Sequence, residues 1–382
     1  KSFGACFGVS GGYERPMWFA LDGEKAEYEY SYNYQSWYPS AEYETNNTVK
    51  NVGLFDLTPF SKFEIKSDKA HQELQKICTA NIKNEPGKCV YTHMLNSDGG
   101  IETDLTVVCV DKNHFRIISS AATRERDKFH INKHLSKNIE LKDITDDLCV
   151  FGLFGPKSRD LLKTLSEDNF ENDQFRFGFA KFITIDGVKI WTQRLSYVGE
   201  LGYELYVDLK DAKKIYELLI EKGKDFNLSN CGMHAMDIMR MESGFLHWGH
   251  DISPEENQYQ AGLAFTISNK KDVDFIGKQA LEKIKQDKVK TRFSMFTLKE
   301  SEPGKPLLLH DEPIYDGEKI IGRSTSGNYS FNFKKNLVFG YINNDFSNEE
   351  LQNKNLFIEV EKKKYPIEII NKPLKQTNFK NN

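Results

Sequence analysis

Three short stretches bring acids, tyrosines and glycines together at spacings that could do chemistry. The first runs Tyr91-Thr92-His93-Met94-Leu95-Asn96-Ser97-Asp98-Gly99-Gly100-Ile101-Glu102-Thr103-Asp104-Leu105-Thr106. Two glycines make a tight turn, and an acid follows in the strand beyond it. Asp104 alternates with apolar Leu105 and Val107, so its carboxylate faces away from their side of the strand. Such a group is a solvated strand charge or, in a sheltered pocket, a proton acceptor; spacing alone leaves both open. The second stretch is Ser196-Tyr197-Val198-Gly199-Glu200-Leu201-Gly202-Tyr203-Glu204-Leu205. Its glycines let backbone approach a flat ligand. A carboxylate there can accept two parallel N–H bonds from an amino-pyrimidinone edge, and a tyrosine can cover a ring face. A bulged turn with surface acids fits the same residues. The third, Asp237-Ile238-Met239-Arg240-Met241-Glu242, places Asp237 and Arg240 at i and i+3 on a helix. That spacing fits an intrahelical ion pair, or an arginine reaching a ligand acid.

Several other chemistries are excluded. The 382 residues contain no G-x-x-x-x-G-K-[ST], no G-x-G-x-x-G after a strand and no H-E-x-x-H. His247 and His250 stand three apart without a supporting third ligand, so no metal site is expected. The six cysteines form no C-x-x-C pair and several lie in apolar runs, which predicts buried reduced thiols. Lys plus Arg is 52 against 56 acids, a net charge of −4, so no nucleic-acid partner is expected. No apolar run approaches the roughly 18–20 residues of a bilayer span, so no membrane partner is expected. Hydrophobic residues at 39% suffice for packed cores, and the length predicts two or three domains. The chain starts at Lys1 without a signal-peptide pattern, so a processed or excised piece of something longer is expected.

The elements that must position these residues form an α+β pattern. Residues 1–45 are aromatic and irregular and read as a wrapping segment, with Arg15-Pro16 fixing an extended turn. Residues 60–66 alternate as a strand, and a capped helix follows over 68–78. Strands are predicted at 89–95, 104–110 and 115–119, then a helix at 122–136, a buried strand at 148–155 and a helix opened by Pro156. Strands return from 177 to 209, and helices follow at 211–222, 231–243 and 276–286. The tail is all-β, with strands near 293–298, 307–315, 319–326, 337–342, 356–360 and 364–370, which suggests a small barrel or jelly roll. The expected division is 1–69, the wrapping segment with the first part of domain 1; 70–146, an inserted domain 2; 147–270, the rest of domain 1; and 271–382, the barrel.

Taken together, the three stretches resemble the aminomethyltransferase family, the glycine-cleavage T-protein and its relatives. The shared pattern is a GGI-x-x-D-L turn, a Y-x-G-E-x-G-x-E loop and a D-x-x-R-x-E helix. The chain most resembles the folate-binding C-terminal half of sarcosine and dimethylglycine dehydrogenases, through GACF…GYERPMWF at 4–19, GLFDLTPFSKFEI at 53–65, HWGHDISPE at 247–255, DFIGKQAL at 274–281 and GRSTSGNYS at 322–330. The resemblance implies a three-domain cloverleaf with tetrahydrofolate in a central hole. It implies Asp104 as the catalytic carboxylate, Tyr91, Tyr197 and Thr106 beside the pterin, Glu204 on its amino-pyrimidinone edge, and Arg240 in support. Glu200 would shape the loop. Gln260 stands where relatives commonly have an acid, and no catalysis is expected of it.

The implied function is formation of 5,10-methylenetetrahydrofolate from the carbon released by N-demethylation of a methylated glycine. The donor would be a small N-methylated amine, or its iminium or formaldehyde. FAD enters only with a separate or removed N-terminal dehydrogenase domain. The chain itself is expected to be a transferase rather than an oxidoreductase, with a flavin dehydrogenase domain or subunit as partner. A stand-alone folate-dependent methyl or aminomethyl transferase and a non-catalytic folate-binding module are the alternatives. The expected location is the cytoplasm, or the mitochondrial matrix in a eukaryote.

Overall fold

The predicted strands assemble into a hairpin, two open sheets and a closed barrel in a computed structural model, which describes residues 1–376. The six-stranded sheet has the order Ala180–Ile185, Val188–Gln193, Gly202–Asp208, Leu148–Phe154, Val52–Asp56, Leu228–Cys231. Its only parallel pair is the last, between Val52–Asp56 and Leu228–Cys231. The five-stranded sheet is antiparallel: Cys89–Leu95, Ile101–Asp111, His114–Ser119, Ser61–Lys66, Leu141–Asp143. Ser61–Lys66, which the sequence division puts in domain 1, therefore pairs inside this second sheet. The barrel closes through Thr291–Leu298, Lys335–Asn343, Lys319–Ser330, Pro313–Asp316, Leu356–Val360 and Lys363–Ile370. Closure leaves no unpaired edge.

Alternation decides which face each strand buries. Leu105, Val107, Phe115 and Ile117 pack outward against Leu74, Ile77 and Ile131 from the helices that cover the five-stranded sheet. Leu54, Leu153 and Leu205 do the same against Ile215 and Leu219 on the six-stranded sheet. The other two faces meet: Cys89, Val108 and Ile118 pack with Phe55, Phe154, Trp191 and Tyr206. Each such buried side chain contributes roughly 1.5–3 kcal/mol. An exposed helix pair such as Lys213–Glu217 contributes about 0.3–0.5. The sheet cores therefore set the architecture. All six cysteines are free thiols. Among the described residues, no helix is long and apolar enough to cross a membrane.

Two expectations fail. Part of the opening segment is regular, although 20–37 carry neither helix nor strand: Ala5–Ser10 pairs with Tyr13–Phe19, and Pro16 lies opposite Phe7 next to a register shift. Residues Tyr38–Lys50 form a helix. It escaped notice because its buried face is polar, with Ser40, Glu44, Thr45, Asn47 and Thr48 inside. A helix whose core face carries hydroxyls and amides shows no apolar period. Glu44 explains the arrangement. Its carboxylate accepts from the Phe19 N–H at 2.7 Å and the Gly232 N–H at 2.8 Å, tying the hairpin to the start of helix Met233–Glu242. In the barrel, the strand expected over 307–315 is only Pro313–Asp316.

Candidate functional site

The turn after Cys89–Leu95 sets the first half of the site. Asn96 Oδ1 accepts from the N–H groups of Asp98 (3.0 Å) and Gly100 (2.9 Å). Any Cβ on Gly100 would lie 1.8 Å from the Pro254 carbonyl oxygen, so only glycine fits there. A register shift between Met94 and Leu95 then pairs His93 with Asp104 and Tyr91 with Thr106. Cross-strand partners share a face, so Tyr91, His93, Asp104 and Thr106 stand together on the side turned to the six-stranded sheet. Asp104 keeps 19% side-chain exposure and Tyr91 39%, so this is a recess that water reaches.

Burial is the largest influence on Asp104. It raises the carboxyl to about 7, opposed by a hydrogen bond from Tyr91 and aided by the charge of Asp127. The Tyr91 hydroxyl is pushed up by burial and by Asp104. It also lies 3.2 Å from His93 Nε2. His93 is fully buried, which lowers its pKa to about 3 and keeps it neutral. Its Nδ1 is 3.1 Å from Thr266 Oγ1, whose proton goes to the Leu263 carbonyl oxygen at 2.7 Å.

The second half comes from the opposite sheet. Gln193 pairs with Glu204 and Trp191 with Tyr206, so these four share one face. Glu204 accepts from the Tyr206 hydroxyl at 2.8 Å, and burial raises it to about 7 against that bond. Gln193 is wholly buried, yet neither end of its amide has a partner among the described residues; nor does Trp191 Nε1. Buried polar atoms are rarely left unpaired, but these atoms are sealed from the surface; of this set Glu204, at 8% exposure, keeps the most access to a ligand.

Tyr197 donates to the Leu246 carbonyl oxygen at 3.0 Å and stacks near Phe245, and its hydroxyl senses the charge of Asp104. Arg240 is buried and bonds to protein. Nε reaches Asp237 Oδ1 at 2.8 Å, Nη1 reaches Asp251 Oδ2 at 2.5 Å and the Phe245 carbonyl oxygen at 3.1 Å, and Nη2 reaches Ser326 Oγ at 2.8 Å. It joins helix, loop and barrel behind Tyr197. Glu200 pairs with Lys375, and Gln260 bonds Asn257 and Thr291. The His247 and His250 rings lie 4.7 Å apart, and the described residues hold no group of three or more His, Cys, Asp or Glu that could bind a metal. Sequence reasoning passed over His93, Thr266 and Gln193. Only the strand register brings His93 opposite Asp104 and Gln193 opposite Glu204.

Two sheets thus meet face to face beside a closed barrel, with an acid on each inner face. The family model described as the GCVT N-terminal domain matches residues 1–271, and the glycine cleavage T-protein C-terminal barrel domain matches 292–375. The chain belongs to the glycine cleavage T-protein family. It is 36% identical to 4-methylaminobutanoate oxidase (formaldehyde-forming) of Paenarthrobacter nicotinovorans, over 85% of this chain and 39% of that protein. With mitochondrial dimethylglycine dehydrogenase of Rattus norvegicus it shares 32% over 96% of this chain and 42% of that protein. With an aminomethyltransferase of Halothermothrix orenii it shares 32% over 79% and 83%. The chain thus spans about two fifths of the oxidase and the dehydrogenase. Its fold matches the glycine cleavage system aminomethyltransferase T from Bartonella henselae, at a TM-score of 0.82 and 20% identity over 98% of this chain and 96% of that one.

Proposed function

We propose that this chain transfers a one-carbon unit to tetrahydrofolate, as the folate half of an enzyme that demethylates a methylated glycine. The observation that carries this reading is that Asp104 on the inner face of one sheet and Glu204 on the inner face of the other are both raised to about 7 by burial. A pterin's amino-pyrimidinone edge fits against Glu204. Its amino and ring N–H groups suit the Glu204 carboxylate. Tyr91, Thr106 and Tyr197 flank the ring, and Arg240 holds the loop behind Tyr197.

Tetrahydrofolate, when bound, supplies two nitrogens that together take the carbon as a methylene bridge. Asp104 takes up the proton released as the first C–N bond forms and passes it to the departing group, an amine from an iminium or water from formaldehyde (a solvent proton completing the water); once that group has left, it accepts the proton released as the second C–N bond closes and gives it to solvent. A partly desolvated carboxylate also stabilises the positive charge that develops before that step. No electrons change hands in this exchange. Oxidation of the N-methyl amine is assigned to a flavin dehydrogenase domain or subunit.

Calorimetric titration with tetrahydrofolate tests the pocket. Glu204→Ala removes an acceptor of two N–H bonds, each worth about 1.5–3 kcal/mol at a charged group, so affinity should fall roughly 100-fold or more. Wild-type-like affinity in Glu204→Ala would remove Glu204 from the site.

A further inference from the structure

The Tyr91 hydroxyl has one proton and two acceptors. His93 Nε2 lies 3.2 Å away, and the Asp104 carboxylate, on the same face of the neighbouring strand, is the other acceptor that the hydroxyl affects. Which His93 nitrogen carries hydrogen follows from its far side. Thr266 gives its proton to the Leu263 carbonyl oxygen, so Thr266 Oγ1 can only accept from His93 Nδ1. Nδ1 therefore bears the hydrogen and Nε2 presents a lone pair. Burial keeps the ring neutral across the working pH range. Nε2 is also 3.9 Å from Asp104 Oδ1, too far for a hydrogen bond.

We propose that His93 is a positioning residue that offers the Tyr91 hydroxyl a second acceptor, so that Tyr91 donates to Asp104 when that carboxylate is charged and turns to His93 when Asp104 takes up a proton. Without His93, protonating Asp104 would leave the Tyr91 hydroxyl either a water of the recess or an acid that is no longer a good acceptor. Either is a poorer acceptor than a fixed imidazole nitrogen in a partly desolvated recess, and that difference would favour the charged form of Asp104. With His93 the two protonation states of Asp104 are closer in energy, which suits a group that must take and return a proton. The inference rests on the one-carbon reading for its purpose, but not for its test.

The other groups facing Asp104 are Asp127, from helix Arg124–His134, and Tyr197. Arg126 lies near Asp127 and is itself paired with Glu102.

The test is a carboxyl carbon NMR titration of the free chain labelled at aspartate, with Asp104→Asn identifying the signal. His93→Leu should lower the Asp104 midpoint by roughly one pH unit, because Tyr91 then serves Asp104 alone. Tyr91→Phe should raise it. In the Tyr91→Phe background, His93→Leu should add almost nothing, since the effect runs through the hydroxyl. An unmoved midpoint in His93→Leu, or an equal shift with Tyr91 absent, overturns the proposal. Should His93→Leu not fold, Thr266→Val tests the same point. It frees the ring to place its hydrogen on Nε2, which removes the competing acceptor and again lowers the midpoint; an unchanged midpoint there counts against the proposal. The titration uses no folate, so its outcome is separate from that of the calorimetry.

Discussion

Asp104 and Glu204 are the two carboxyls whose ordinary chemistry burial alters most usefully. Both are raised to about 7, Asp104 beside Tyr91 and Glu204 beneath Tyr206. In the proposed reaction the charged form of each does the work: Asp104 as proton acceptor, Glu204 as acceptor of ligand N–H groups. Turnover and folate affinity should therefore both rise as pH climbs through about 7. Asp104→Asn keeps the shape but cannot accept the proton. We expect its turnover to fall about 100- to 1000-fold, with tetrahydrofolate affinity changed only a few-fold. Stopped-flow turnover beside calorimetry separates the two, and a near-normal rate would falsify the role of Asp104.

Helix Tyr38–Lys50 shows how an element can be held by polar groups. Glu44 is 1% exposed and satisfies two backbone N–H groups from different parts of the chain. Burial nevertheless raises it to about 8, outweighing those two bonds. The native state therefore holds a proton that the unfolded chain releases near pH 4.5. This group's contribution to stability is present below that value and is lost as pH rises towards about 8. Glu44→Gln should flatten the dependence of unfolding free energy on pH between about 5 and 8 relative to wild type, as read from denaturant melts. An unchanged slope would mean that Glu44 stays charged in the fold.

At the scale of the molecule, the barrel is joined to the sheets through a buried charge cluster. Asp251 is wholly buried and accepts from Arg240, Thr325 Oγ1 at 2.6 Å, Ser326 Oγ at 2.8 Å and the His247 N–H at 3.0 Å. Arg240 bridges it to helix Met233–Glu242, and Tyr341 of the barrel donates to the Asp251 carbonyl oxygen at 2.8 Å. Removing one partner of such a pair costs about 3–5 kcal/mol, because the other charge is left uncompensated. Arg240→Met should lose stability on that scale. Hydrogen exchange should quicken in Lys319–Ser330 and in residues 245–252, while Cys89–Leu95 stays protected. A loss under about 1 kcal/mol would show that the barrel is held elsewhere.

The residue types and their local order settled a good deal of this protein before any folding was considered. Alternation in Asp104-Leu105-Thr106-Val107 put Asp104 on the face opposite Leu105 and Val107. The Asn96–Gly100 turn marked a hairpin, and the spacing of the last six strands pointed to a barrel. These are short-range properties, set by the period of a strand and the geometry of a turn. What the tertiary structure decided was long-range. A one-residue register shift at Met94/Leu95 turns Asp104 towards His93. Pairing across the Ser196–Gly202 loop puts the unpartnered Gln193 beside Glu204. Glu44 finds two N–H groups, one 25 and the other 188 positions away. Nothing in local spacing encodes such partners, because they are chosen by which backbone groups and charges the packed sheets leave facing each other.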